Sequence, residues 1–305
     1  MKLISLNTWG GKLYQPLIEF VAANAETTDI FCFQEVYFSG SYHPEIPWIR
    51  TNLASELQGA LPGFSMTERL AVQKNGAVES DAKIGEAIFV KDSAKVTSSG
   101  GFHTYQEDGE SVREKIEAAS GNFQFVTLES GSEAYVIGNV HGLWFPGPKF
   151  DTAKRIEQSV RLKKAMEVSR GKKILCGDFN LQPATESVGL LDSGMRDLIT
   201  EYRVAKTRSR YYEGMEKYHD YIADYMFVSS DVRVADFKVL PDEVSDHLPL
   251  ALPREVLTDL PGELPRVDRL LHEAVAADRE AGVAIPLGGD GHDGHAAQGL
   301  VGPQP

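Results

Sequence analysis

One recurrence limits what this chain can fold into more than anything else in it. Short apolar runs, one after another, finish in a side chain that is expensive to bury. Leu-Ile-Ser-Leu ends at Asn7, and Ile-Phe-Cys-Phe-Gln carries Glu35. Val-Ile-Gly-Asn-Val ends at His141, and Ile-Leu-Cys-Gly leads into Asp178 and Asn180. Ile-Ala-Asp-Tyr-Met-Phe-Val embeds Asp224, and Ser-Asp-His-Leu-Pro-Leu supplies Asp246 and His247. Taken singly, each has an ordinary reading as a turn residue or a helix cap. Together they do not, because an unpaired buried ion costs several kcal/mol, and a domain's net stability spares little for several at once. Glu35, Asp178, Asp224 and Asp246 are therefore expected to share one rim with a cation or with the histidines. Oxygen ligands with amides and no cysteine suit Mg²⁺ or Mn²⁺ rather than structural zinc.

The runs read as buried strands by length and by Val, Ile and Phe content: Lys2–Asn7, Ile30–Val36, Gly85–Val90, Phe123–Leu128, Ala134–His141, Lys173–Asp178, Tyr221–Val228 and Val234–Val239. Period-two alternation places Glu35 on the face of Phe31 and Phe33. Helical spacing predicts helices over Pro16–Ala25, Glu45–Gln58 and Thr152–Ser169, the last with Ile156, Val160, Leu162 and Met166 near one face. The pattern is a mixed α/β domain over residues 1–253, too irregular for a strict βαβ repeat. Beyond it, 254–305 holds one short helix-like stretch, Arg266–Glu280, and then a Gly-, His- and Pro-rich tail expected to be disordered. His292 and His295 in that tail read as solvated linker rather than a metal site. Cys32 and Cys176, the only cysteines, lie in apolar runs and read as buried thiols. No apolar run approaches the roughly 18 residues of a membrane span. The amino-terminal segment does not read as a signal peptide. A cytoplasmic monomer is expected. The net charge of −13 argues against charge-driven nucleic-acid binding by the surface as a whole, and leaves room for a local basic groove.

In chain order, Leu-Asn-Thr-Trp, Phe-Gln-Glu-Val, Asn-Val-His-Gly, Gly-Asp-Phe-Asn, Ala-Asp-Tyr-Met-Phe-Val-Ser and Ser-Asp-His-Leu-Pro-Leu resemble the endonuclease/exonuclease/phosphatase superfamily. Its members include pancreatic-type deoxyribonuclease, exonuclease III-like abasic-site endonucleases, bacterial sphingomyelinases and inositol polyphosphate 5-phosphatases. The resemblance covers Met1 to about Leu252. It implies a four-layer α/β sandwich, two packed mixed β-sheets flanked by helices, with the site at one rim. It also implies roles. Glu35 becomes the principal metal ligand with Asn7 beside it, and Asp246 assists a metal. Asp178 orients and deprotonates the attacking water, while Asn180 holds a phosphate oxygen or the nucleophile. His247 contacts the scissile phosphate with its tautomer set by Asp224, and His141 donates to the phosphate oxygens. One departure stands out: pancreatic-type enzymes pair a Glu in the middle strand with the first histidine, and here Gly85 aligns at that point. Glu86 lies one residue off, so it receives no role, and His141 is expected to be oriented differently.

The phosphoester is less constrained. An Arg expected after Gly-Asp-x-Asn in 5-phosphatases is Leu181 here, and the Gly-Ile-Arg turn of abasic endonucleases is replaced by Thr8-Trp9-Gly10-Gly11. The segment Arg203–Lys217 is locally basic, with Arg203, Lys206, Arg208, Arg210 and Lys217 against Glu213 and Glu216. Lys206, Arg208 and Arg210, interleaved with Tyr211, Tyr212 and Tyr218, read either as phosphate contacts with stacking rings at the site mouth or as an ordinary solvated loop. Lys149, Lys154 and Arg155 are weaker candidates for a phosphate contact, and Trp9 and Trp144 for stacking. The resulting expectation is a metal-dependent phosphodiesterase acting on DNA or RNA. The alternative is a phosphatase or sphingomyelinase-type enzyme acting on a small or lipid phosphoester, and a third, inert binding module has no need of so many acidic and imidazole groups.

Overall fold

The computed structural model describes residues 1–39, 50–70, 83–104, 121–144, 149–214 and 221–253. In chain order the elements are β1 (Leu3–Asn7), α1 (Tyr14–Ala25), β2 (Ile30–Ser39), α2 (Leu53–Ala60), β3 (Phe64–Leu70), β4 (Lys83–Lys91), β5 (Lys95–His103), β6 (Asn122–Ser130) and β7 (Glu133–His141). They continue with α3 (Ala153–Val168), β8 (Lys172–Asp178), α4 (Glu186–Asp192), β9 (Arg196–Asp197), α5 (Leu198–Glu201), β10 (Asp224–Val228), β11 (Lys238–Val239) and β12 (Leu250–Leu252). The stretch Arg266–Glu280 and the histidines of the tail lie outside the described residues.

The strands form two six-stranded sheets, ordered β11-β12-β1-β2-β4-β3 and β5-β6-β7-β8-β10-β9. Each is mixed: β1 runs parallel to β2 and β7 parallel to β8, while the remaining pairs are antiparallel. Alternation along β2 divides the core. Ile30 and Cys32 join Val126, Ile137, Ile174 and Cys176 between the sheets, whereas Phe31 and Phe33 pack outward with Leu17 and Val21 of α1 and Leu53 and Leu57 of α2. Leu162 and Met166 of α3 and Val188 and Leu191 of α4 belong to the cluster that contains the second sheet. The result is a four-layer α/β sandwich, as expected. Both cysteines are buried free thiols.

Several boundaries moved. Only Lys238–Val239 of the expected strand 234–239 pairs, and β10 begins at Asp224 rather than Tyr221. The helix expected from Glu45 is described only from Leu53. The buried stripe of α3 is Arg155, Gln158, Ser159, Leu162, Ala165 and Met166, while Val160 is exposed, because the polar side chains of Arg155 and Gln158 find partners below the helix. Sequence reading also passed over β3 and β5, which are edge strands carrying Ser, Thr, Glu and Lys.

Candidate active site

Register builds the centre of the site. His141 pairs with Asp178 across β7 and β8, and Asp178 pairs with Asp224 across β8 and β10. Three adjacent strands thus end their apolar runs on one cross-strand row. Two carboxylates directly opposite each other repel, and His247 relieves that here. Its Nδ1 lies 2.8 and 2.9 Å from the two oxygens of Asp224, and its Nε2 lies 3.6 Å from Asp178 Oδ2. Gly177 lets β8 reach this point. Its φ is +136°, and a Cβ there would stand 2.1 Å from the Val140 carbonyl oxygen.

Glu35 arrives by a different route from the one alternation implies. Phe31 and Phe33 face the helices, so strict period two would point Glu35 away from the second sheet. Between Phe33↔Ala87 and Val36↔Gly85, Gln34 and Glu35 oppose the single residue Glu86, which is a β-bulge. Glu35 takes φ +55° at the bulge and swings its carboxylate to 3.6 Å from His141 Nε2 on the opposite sheet. Asn7 Nδ2 then bridges Glu35 Oε1 at 3.0 Å and Asp178 Oδ2 at 3.1 Å. The Trp9 backbone N–H donates to Asn7 Oδ1 at 3.0 Å, which fixes which end of the amide is NH₂.

Asn180, also left-handed at φ +54°, is fully buried. Its backbone N–H donates to Asp178 Oδ1 at 2.9 Å, and its Nδ2 donates to the Gly142 carbonyl at 3.0 Å. Its Oδ1 has no hydrogen-bond partner among the described residues. A buried, unused acceptor beside the central carboxylate is a place for a donor such as water.

Glu86 requires a correction. Along β4, Ile88 and Val90 face the second sheet and Ala87 and Phe89 face the helices, so alternation puts Glu86 on the inward side. It is fully buried, with Oε1 3.7 Å from His141 Nδ1. The histidine is therefore flanked by Glu86 and Glu35, the arrangement sequence alignment had denied it. Gly85 faces outward, where a Cβ would meet the Arg69 carbonyl oxygen at 2.0 Å.

A second element was marked in the sequence only by the basic charge around Arg208. Thr207–Ser209 is wedged against the His247 loop, with Ser209 N donating to Asp246 O at 3.0 Å, Leu248 N to Thr207 O at 2.7 Å, and Arg208 bridged to His247. Thr207 Oγ1 donates to Asp224 Oδ2 at 2.7 Å. Arg208 is buried, its guanidinium in hydrogen-bond contact with His247 Nε2 and 4.0 Å over the Tyr212 ring. Of the other basic candidates, Lys206 is exposed and Arg210 is held at the surface by Glu243 at 3.0 Å and by the Tyr211 hydroxyl at 3.1 Å. Lys217 and Tyr218 lie outside the described residues. Lys149 is buried, and its ammonium donates to the Trp144 carbonyl. Arg155 is also buried but holds the same loop, donating to Phe150 O at 2.8 Å and Leu143 O at 3.4 Å. Trp144 is exposed at the rim, and Trp9 is half-buried under Lys12.

Electrostatics follow from this crowding. Burial, the largest influence on Asp178, opposes its charge, but His247, Arg208, His141 and Lys149 hold it below the usual 3.8. Asp246 moves upward, through burial chiefly, with Glu35 and Asp178 adding to it. Burial also lifts Glu86 despite His141, Arg69 and Asn122. For His247, burial and Arg208 work against protonation, yet Asp224, Asp178 and Asp246 outweigh them and push it up to about 9. His141 is raised as well, with Glu86, Glu35 and Asp178 overcoming burial.

Asp178, Asp224 and His247 offer ligand atoms within 4.8 Å of one another. Asp224 and His247 spend theirs on each other; Glu35 and Asp246, which bear electrostatically on the same centre, add the other acidic oxygens of the pit. The donor set fits a divalent ion of the Mg²⁺ or Mn²⁺ type.

The sequence profile of the Endonuclease/Exonuclease/phosphatase family matches residues 4–247. No curated protein matches the chain. Among solved structures the chain is similar to the mannosyl-6-phosphatase of Bacteroides thetaiotaomicron VPI-5482, at 19% identity over 83% of this chain and 98% of that one, with a TM-score of 0.60. It is also similar to D. rerio TDP2 complexed with single-strand DNA product, at 14% identity over 83% and 97% of the two chains and a TM-score of 0.56. A third is the endonuclease/exonuclease/phosphatase from Beutenbergia cavernae DSM 12333, at 16% identity over 83% of this chain and 70% of that one, with a TM-score of 0.61. At these identities the likeness establishes the fold. No helix among the described residues is long and apolar enough to cross a membrane.

Proposed function

The chain belongs to the endonuclease/exonuclease/phosphatase family, and from that premise we propose that it is a divalent-metal-dependent phosphoester hydrolase working by in-line attack of water. The observation that carries this reading is the row His141–Asp178–Asp224 capped by His247, with the unused Asn180 Oδ1 beside it. Asp178, held ionised by its cationic neighbours, accepts a proton from the attacking water. Asn180 Oδ1 accepts a hydrogen bond from the water's other O–H, which aims the lone pair. As an acceptor that atom suits the nucleophile, and of the two roles open to Asn180 in the sequence it favours this one. His141 and His247 donate to the phosphate oxygens as charge builds, each directed by its own carboxylate, Glu86 and Asp224. Glu35 and Asp246 would hold Mg²⁺ or Mn²⁺, with Asn7 fixing Glu35 against Asp178. Bound there, the ion supplies neutralisation of phosphate charge and a more acidic water.

The sequence preference for a DNA or RNA diester rested on the basic stretch around Arg208. The Arg208–Tyr212 and Arg210–Tyr211 pairs keep a nucleic-acid substrate in view, as does the similarity to a TDP2 bound to DNA product. Similarity to a mannosyl-6-phosphatase brings in a small phosphoester on equal terms. Buried, unpaired thiols at Cys32 and Cys176 accord with a protein of the cytoplasm, which we propose acts as a monomer.

Hydrolysis of p-nitrophenyl phosphate and bis(p-nitrophenyl) phosphate with Mg²⁺, Mn²⁺ or EDTA tests the reading. Turnover that needs the metal, and that falls at least about 10³-fold in Asp178→Asn with an unchanged circular dichroism spectrum, is expected. Metal-independent turnover, or a fully active Asp178→Asn enzyme, would overturn it.

A further inference from the structure

Strict alternation would spoil the end of β2. Ile30, Cys32 and Gln34 face the second sheet, so Glu35 would follow Phe31 and Phe33 to the helix side, away from His141. The bulge between Phe33 and Val36 changes this by one residue, and Gln34 and Glu35 both reach across to the second sheet. Moving the extra residue one place along the strand would turn Glu35 back again. A left-handed φ of +55° on a non-glycine residue also persists only where its surroundings over-determine it. The position of the bulge therefore needs a device that fixes it.

Two side chains supply one, from opposite directions. Asn139 lies on β7, two residues before His141 and on the same face. Its Nδ2 donates to the Phe33 carbonyl at 3.0 Å, the last before the register breaks, and its Oδ1 accepts from Gln34 Nε2 at 2.6 Å. Thr8, just past β1, donates its hydroxyl to the Gln34 and Glu35 carbonyls at 2.9 Å each, and its backbone N–H to the Gln34 carbonyl at 3.0 Å. The carbonyls of Phe33, Gln34 and Glu35 are thus each taken by one of these two side chains. A further amide steadies the first: Gln124 Oε1 accepts from Asn139 Nδ2 at 3.4 Å, and Gln124 Nε2 donates to the Thr67 carbonyl at 2.9 Å. Thr8, Gln34, Asn139 and Gln124 are all buried. Amides between packed sheets cost more to bury than apolar side chains do. What they give in return is direction, since a hydrogen-bonded network admits one register where apolar contact tolerates several.

We propose that Asn139 and Thr8 are positioning residues that select the bulged register of β2 and thereby present Glu35 to the pit. The clasp rests on the reading of Glu35 as the carboxylate that holds the divalent ion, and both residues act through Glu35. An apolar residue at 139 withdraws the donor from Phe33 and the acceptor from Gln34. The strand then relaxes toward even alternation, which turns Glu35 to the helix side. If the two side chains only stabilise the fold, their removal lowers stability and leaves Glu35 and its ion as they were.

The test compares the wild type with Asn139→Leu, Thr8→Val and Thr8→Ser in two measurements. Backbone carbon chemical shifts of Glu35 in metal-free protein report its φ, and the paramagnetic resonance signal of free Mn²⁺ reports affinity for the ion. Asn139→Leu and Thr8→Val should each move the Glu35 shifts toward extended values and lose about 10–100-fold in Mn²⁺ affinity, as when other groups that orient a metal ligand are removed. Excess Mn²⁺ should recover most of the turnover by drawing β2 back into the bulged register. Thr8→Ser keeps the hydroxyl and should stay within about 3-fold of the wild type in affinity. Gln34→Met serves where Asn139→Leu does not fold, with the same changes in smaller measure. Ile137→Ala opens a cavity on the same strand without touching the bulge, and should lose stability while keeping the Glu35 shifts and the affinity. Unmoved Glu35 shifts in Asn139→Leu and Thr8→Val, or an affinity loss that Ile137→Ala reproduces, overturns the clasp and leaves the hydrolase standing. Shifts that move as expected in a protein that neither binds Mn²⁺ nor turns over any ester keep the clasp as a device of the fold and overturn the hydrolase.

Discussion

Replacing Asp224 with Asn keeps the shape of the side chain and removes its charge from beside a fully enclosed imidazole. In the wild type His247 Nδ1 sits 2.8 and 2.9 Å from the two carboxylate oxygens, and the ring's pKa is pushed up from 6.5 to about 9. That rise is equivalent to roughly 3 kcal/mol of preference for the folded state by the protonated ring. Because the folded pKa lies above the unfolded one, the contribution is complete below pH 6.5 and is lost as pH climbs through 9. With Asp224 neutral, burial and Arg208 meet less opposition, although Asp178 and Asp246 still attract the proton. The loss on mutation should therefore be about 1–3 kcal/mol at pH 6 and should shrink markedly by pH 9.5. Urea denaturation of both proteins in EDTA across that range measures the gap, and the His247 Cε1 proton resonance reports the midpoint directly. Activity should fall by about 10²–10⁴-fold, as when other carboxylates that orient a catalytic imidazole are neutralised. A stability gap of the same size at pH 6 and 9.5, with an unmoved resonance midpoint, would refute the reasoning.

Two further outcomes follow from the surroundings of the histidines. Glu86→Gln should cost less than about 1 kcal/mol of stability by urea denaturation, since burial already favours the neutral acid. Activity should still drop as His141 Nδ1 meets an amide in place of the carboxyl group, and Glu86→Ala should cost about 2–4 kcal/mol more through its cavity. Thr207→Val removes the 2.7 Å hydrogen bond to Asp224 while keeping the shape, so the alkaline limb of the kcat profile should shift and Thr207→Ser should restore it.

What could be read from the chain and what could not divide along physical lines. Asp178, Asp224, His141 and His247 were legible because each interrupts an apolar run, and such an interruption needs a partner wherever it is buried. Glu35 was legible as a residue but not as a geometry. A bulge is a mismatch between two strands, and neither strand shows it alone. Glu86 was missed because its face depends on which residues of β4 point at the other sheet, a fact held by the packing of Ile88 and Val90 rather than by alignment. Thr207 and Arg208 sit in a stretch without hydrophobic period, its backbone held by bonds to Asp246, Leu248 and Tyr221 later in the chain. The edge strands β3 and β5 escaped for a simpler reason: polar, half-wet segments look like loops.

The cross-strand row also separates two kinds of inheritance in this molecule. Spacing among His141, Asp178 and Asp224 is set by ladder hydrogen bonds deep in the second sheet, so it does not depend on the segments that cross the rim above it. Those segments can be lengthened, shortened or exchanged without retuning the chemistry beneath them. A transplant of rim loops should therefore change which molecules enter long before it changes how their phosphorus is attacked.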